Sequence, residues 1–142
     1  MNNKIINIMN KEHKMIRNIF NAFENNLRFD FQSSKEIFRV FVWNLEKHIF
    51  IEEKIIYSVY SVWNNSEEIL GLLGDHKDIL YLIKKIENTL SKNKIPNVSD
   101  LKIILNEHFI LEEEILFPLF DDVLKGNLRE LFLDRTNEVI IG

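Results

Sequence analysis

Four histidines, His13, His48, His76 and His108, and a matched set of carboxylates are the residues in this chain that could do chemistry. Around His48 the sequence runs Leu45-Glu-Lys-His48-Ile-Phe-Ile-Glu52-Glu53-Lys-Ile55. Around His108 it runs Leu105-Asn-Glu-His108-Phe-Ile-Leu-Glu112-Glu113-Glu-Ile115. Leucine, histidine, both glutamates and isoleucine recur at an offset of 60 residues. Glu12-His13-Lys14 with Ile16, and Asp75-His76-Lys77 with Ile79, repeat at an offset of 63. Residues four apart on a helix share a face, about 5–6 Å between Cβ atoms. His48 therefore projects with Glu52, and His108 with Glu112. The flanking Leu45, Ile55, Leu105 and Ile115 place both pairs in apolar stripes facing a core, where an unpaired carboxylate is costly. A bound cation removes that cost. Two glutamates and four imidazoles converging from four helices make a two-metal site, with each glutamate able to bridge and two histidines for each metal. The repeat leaves open which histidines share a metal.

The elements that must position these groups are helices. Apolar residues recur at three- and four-residue steps over about 3–24, from Ser33 or Ser34 as cap to about Trp63, over about 67–92, and over about 100–124. Asn64, Asn65 and Ser66 break the second from the third, and a loop at 93–98 with Pro96 precedes Ser99 or Asp100 as the next cap. Pro118 should kink the fourth helix or perturb its last turns, and Gly126 should stop it. A tail helix at about 127–140 carries Leu128, Leu131, Phe132 and Val139 on one side. No two-residue alternation persists. The expected fold is all-α, a four-helix bundle over about 3–124 with a short C-terminal helix, one domain across 1–142.

Composition narrows the chemistry. Cysteine is absent, which excludes disulfides, Cys-based zinc sites, iron–sulfur clusters and thiol nucleophiles. The 18 basic and 22 acidic residues are interspersed without a basic stripe, so nucleic acid is not an expected partner. No run reaches the roughly 18–20 apolar residues that span a bilayer. The first twenty residues lack a continuous apolar stretch and a small-residue cleavage site. The expected location is cytoplasmic.

The direction of the motif separates two kinds of di-metal bundle. Ferritin-like sites use Glu-x-x-His, whereas here glutamate follows histidine by four. The segments Glu12-His13, His48-x3-Glu52, Asp75-His76 and His108-x3-Glu112-Glu113-Glu-Ile-Leu-Phe-Pro118 resemble the hemerythrin-like family with its HHE cation-binding motif, over about Asn10 to Leu124. The resemblance implies two iron ions with carboxylate and oxo or hydroxo bridges inside an antiparallel up-down bundle. Oxygen-carrying members have a His-x3-His pair on the third helix and a His-x4-Asp motif on the fourth. Here Leu72 and Leu80 flank His76 at those distances, and Glu112 follows His108 by four. The four-His, two-Glu pattern is similar to the di-iron domain of repair-of-iron-centres proteins, without their cysteine-bearing N-terminal extension.

With His13, His48, His76 and His108 as terminal ligands and Glu52 and Glu112 bridging, each six-coordinate iron keeps about two positions for a bridging oxygen and exogenous ligands. Such a centre should react with oxygen, peroxide or nitric oxide. An iron donor or storage module, and an iron-dependent regulatory module with a protein partner or a second copy, are the other readings. None requires turnover of a substrate. Glu53 and Glu113 are expected to support the ligands or lie at the surface, with Glu113 an alternative bridge to Glu112. Glu12 and Asp75 should be solvated or back the ligands. Tyr57, Tyr60 and Tyr81 fall outside the His/Glu register and read as packing, as do Trp43, Trp63 and the phenylalanines. Arg17 reads as a surface residue or a channel guard, and Val139–Gly142 as a seal of the bundle end or a subunit contact.

Overall fold

A computed structural model describes residues 5–57, 67–123 and 127–141. Helix α1 spans Ile5–Asn26 and α2 spans Phe31–Ile51, continuing as a π-helical segment, Glu52–Tyr57. Helix α3 spans Glu67–Ser91. Helix α4 spans Ser99–Leu111 and passes through a second π-helical segment, Glu112–Leu116, into α5, Phe117–Val123. Helix α6 covers Asn127–Ile141. The described residues form an all-α bundle of four major helices plus a C-terminal helix.

Two apolar cores show how the helices run. One contains Ile16, Phe20 and Phe23 of α1, Phe38, Phe41 and Leu45 of α2, Ile79, Ile83 and Ile86 of α3, and Leu101, Leu105 and Phe109 of α4. The other contains Ile5 and Met9, Ile51 and Ile55, Ile69 and Leu72, and Leu116, Phe117 and Phe120. Along α1 and α3 the chain passes from the second core to the first; along α2 and α4–α5 it returns. The bundle is therefore antiparallel, up and down. Each histidine falls where its helix crosses between cores, so apolar packing on both sides encloses one polar layer.

Local chemistry moved several boundaries. Asp30, not Ser33 or Ser34, caps α2: its carboxylate accepts from the Ser33 N–H (3.1 Å) and the Ser33 hydroxyl (2.7 Å). A carboxylate accepts both bonds with more charge than a hydroxyl offers. Ser34 is buried and donates to the Phe31 carbonyl instead. Ser99 is the first residue of α4 rather than its cap, and its N–H donates to Asn97 Oδ1 (3.0 Å). Asn93 takes the left-handed conformation (φ 58°) after α3 and lets the chain turn, a role asparagine tolerates. The disturbance expected at Pro118 falls just before it, where the Phe117 N–H reaches back to the Glu112 carbonyl. Pro118 has no N–H to return to the preceding turn, which eases that wider winding.

The winding overturns one core assignment. Ile115 is 46% exposed, while Leu116 and Phe117 are buried in its place. Trp43, expected to pack, is 66% exposed, and Phe29 and Phe50 are also outside the core. In α6, Leu131 is exposed; Leu133 and Thr136 are buried, with Phe132, Val139 and Ile140 against the second core. Lys47 fastens the end of α6 to α2 through the Ile140 carbonyl (2.9 Å). The expected breaks at Asn64–Ser66 and Gly126, the residues Tyr60, Trp63 and Gly142, and the side chains of Leu128 and Ile141 lie outside the described residues. No helix among them is long and apolar enough to cross a membrane.

Candidate metal centre

All six residues singled out by the repeat meet in the layer between the two cores. His13, His48, Glu52 and Glu112 have no exposed surface, and His76 and His108 retain 2%. The histidines pair by neighbouring helices. His13 of α1 and His48 of α2 bring their Nε2 atoms to 2.9 Å, and His76 of α3 and His108 of α4 to 3.0 Å. Glu52 presents Oε2 to His48 (3.0 Å) and Oε1 to His76 (3.0 Å), one oxygen toward each pair. Glu112 Oε1 lies 3.4 Å from His13 Nε2 and 3.3 Å from His108 Nε2. Two quartets result: His13, His48, Glu52, Glu112, and Glu52, His76, His108, Glu112. In each, four potential ligand atoms lie within 4.8 Å of one another.

The outer edges of the imidazoles decide which way their lone pairs face. His13 Nδ1 donates to Glu113 (2.6 Å), His76 Nδ1 to Glu53 (2.7 Å) and His108 Nδ1 to Asp75 (3.0 Å). An ionised carboxylate only accepts, so each of these nitrogens carries the proton. In the neutral imidazole, Nε2 then turns a lone pair inward, toward another imidazole and toward carboxylate oxygens. Those lone pairs repel unless positive charge lies among them. Glu112 Oε1 is buried there without a hydrogen-bond partner among the described residues. The donor set thus fits hard or borderline cations such as iron, bound through nitrogen and oxygen.

In the metal-free chain, protons supply that charge. Burial opposes protonation of His13, but the carboxylates of Glu112, Glu113 and Glu52 around it outweigh that and raise its pKa to about 10. Burial likewise opposes charge on His108, yet Glu112, Glu52 and Asp75 bring it to about 9. Burial and the negative Glu52 push Glu112 up to about 8. Glu52 is held well below the ordinary carboxylate range despite its burial, by His48, Glu112, His108 and His13. His48 is lowered by burial.

Tyr57 is the residue the helical register missed. It is buried, its hydroxyl donates to Glu112 and lies 3.4 Å from Glu52, and its ring stacks on His76 at 5.6 Å. Burial and the two carboxylates raise its pKa, keeping it a donor. Five residues past Glu52, a straight helix would turn it about 140° away; the π-helical winding brings it back. A tyrosine or phenylalanine five residues past each motif glutamate, Tyr57 and Phe117, was the available signal.

Glu53, Glu113 and Asp75 hold imidazoles from the rim, as expected for supporting residues. Glu12 is neither solvated nor a partner of an imidazole nitrogen: it is buried, and its Oε1 has no partner among the described residues. Arg17 does not simply reach to solvent. Its guanidinium donates to Glu113 (2.8 Å) and lies 5.1 Å over the Phe109 ring, which stacks on His13 at 3.7 Å. Tyr81 is exposed. Of the two leucines four residues from His76, Leu72 belongs to the second core and Leu80 is partly exposed.

Comparison with curated proteins and with solved structures returned no match. A family model, the hemerythrin HHE cation binding domain, matches residues 4–120. That span holds all four helices of the bundle and both His/Glu clusters, and the chain belongs to the hemerythrin HHE cation-binding domain family.

Proposed function

We propose that this chain is a non-haem di-iron protein that binds or responds to oxygen, peroxide or nitric oxide. In this reading His13 and His48 hold one iron, His76 and His108 hold the other, and Glu52 and Glu112 bridge them. The observation that carries it is the division of Glu52, one oxygen against each histidine pair. Iron bound there would supply redox chemistry and coordination positions open to small ligands. The chain's own residues do the rest. Glu113, Glu53 and Asp75 orient three imidazoles and raise their basicity through Nδ1. Tyr57 holds a proton at the carboxylate edge of the layer. Phe109 and Phe117 lie against His13 and keep water from that side.

The test is the metal content of natively purified protein, with optical spectra before and after azide or nitric oxide. About two irons per chain with an oxo-bridged absorption band that azide perturbs is the expected result. Zinc alone would overturn the redox reading, and a His76→Ala variant with undiminished metal would remove that residue from the ligand set.

A further inference from the structure

The internal repeat predicts four equivalent supports for four imidazoles, and the structure supplies three. Glu113 on His13 and Glu53 on His76 are repeat equivalents, each one residue past a motif glutamate. Asp75, one residue before His76, holds His108 Nδ1 at 3.0 Å. Its equivalent, Glu12, one residue before His13, should hold His48 in the same way. It does not. His48 Nδ1 and Glu12 Oε1 are both buried and without a hydrogen-bond partner among the described residues. Glu12 is one methylene longer than Asp75, and it feels the Lys47 ammonium next to His48 in sequence.

We infer that the two halves of the centre hold metal with unequal strength: the His76/His108 half fills first, and the His13/His48 half carries the exchangeable metal. This rests on the di-iron reading above. A ligand imidazole whose other nitrogen donates to a carboxylate is fixed in tautomer and orientation and is the stronger base; losing that partner weakens metal binding by about 10–100-fold. The His76/His108 half has both imidazoles so held. In the other half, His48 must turn Nε2 inward while its Nδ1–H stays buried and unsatisfied, which works against the ligating tautomer.

Two dications bound to shared carboxylates repel, so the order of filling must be read by location as well as by affinity. The experiment is an anaerobic titration of the metal-free full chain with ferrous iron, followed by calorimetry and by histidine-ring NMR. The chain has only four histidines to assign. At one equivalent, the His76 and His108 signals should shift and broaden most, with a smaller response from His13 and His48 through the shared glutamates; the second equivalent should bring those to the same extent. Asp75→Ala should weaken the first step by about 10–100-fold and bring the two halves together. Asp75→Asn, which keeps an acceptor, should weaken it less. Glu12→Ala should leave both steps in place. His13 and His48 responding more strongly at the first equivalent, all four responding to the same extent, or Glu12→Ala weakening binding as Asp75→Ala does would overturn the inference while leaving the di-iron reading intact. Failure to bind two irons at all would overturn the di-iron reading, and the filling order with it.

Discussion

Tyr57 and Phe117 occupy equivalent places in the repeat, five residues beyond Glu52 and Glu112, and both lie beside an imidazole of the polar layer. Only Tyr57 carries a donor, and it gives that donor to the motif glutamate of the other repeat, Glu112. The two π-helical segments bring both rings inward, and one hydroxyl makes the halves chemically different.

Replacing that hydroxyl should therefore be tolerated by the fold and felt by the carboxylates. Tyr57→Phe is expected to lower the stability of the metal-free protein by about 1–3 kcal/mol, the cost of leaving a buried acceptor without its donor. Urea unfolding followed by circular dichroism measures it. Helical content should stay at the parent level, since phenylalanine already serves at position 117.

Glu113 supports His13 and anchors Arg17, so its loss should act on metal rather than on helix formation. Glu113→Ala is expected to weaken iron binding by about 10–100-fold. Competition against a coloured chelator reads the change, with unaltered helical content as the control.

Iron binding should release protons. His13, His108 and Glu112, at about 10, 9 and 8, hold protons at neutral pH in the metal-free chain. Ferrous iron must displace them, so affinity should rise with pH from about 6 to 9. Calorimetry in buffers of different ionisation heat gives the proton count. The sign for stability is opposite. All three groups are raised above their unfolded values, so the stability they contribute is fully present below those values and is lost as pH climbs through 8 to 10. His48 and Glu52, lowered by folding, are already deprotonated in both states there and do not compensate. The melting temperature of the metal-free protein should fall over that range while the iron-loaded protein holds.

Asp121 of α5 ties the returning helix of the bundle to its start. Its two carboxylate oxygens accept from the Ile5 and Ile6 N–H groups, each at 2.9 Å, and the side chain is buried. Backbone donors at a helix N-terminal turn left without an acceptor are costly. Asp121→Ala should cost about 1–3 kcal/mol in unfolding free energy and leave the iron count unchanged. A changed count would mean that the α1 end and the His13 position are mechanically linked.

Much of the centre was legible because helix geometry is local. The spacing of His48 to Glu52 and of His108 to Glu112 sets a shared face whatever the rest of the chain does, and apolar neighbours turn that face inward. The antiparallel arrangement, implied by family resemblance, is now read directly from the order in which each helix crosses the two cores. What misled was the assumption of constant winding. A uniform helical period put Ile115 in the core and left Tyr57 out of the His/Glu register, whereas the π-helical segments expose Ile115 and bring the Tyr57 hydroxyl to Glu112. Pro118 marked the region of one such segment without specifying its form.

The sequence by itself determined the candidate ligand residues, the helices that carry them and the exclusion of thiolate, because composition and local periodicity carry that information. Tertiary structure decided the rest: that His13 pairs with His48 and His76 with His108, that Glu52 divides its oxygens between the pairs, and that Asp75 meets an imidazole while Glu12 does not. The physical reason is that these relations join residues on different helices. A repeat specifies which faces turn inward, but only packing fixes the rotation and depth at which two faces meet, and with them whether a carboxylate reaches its histidine.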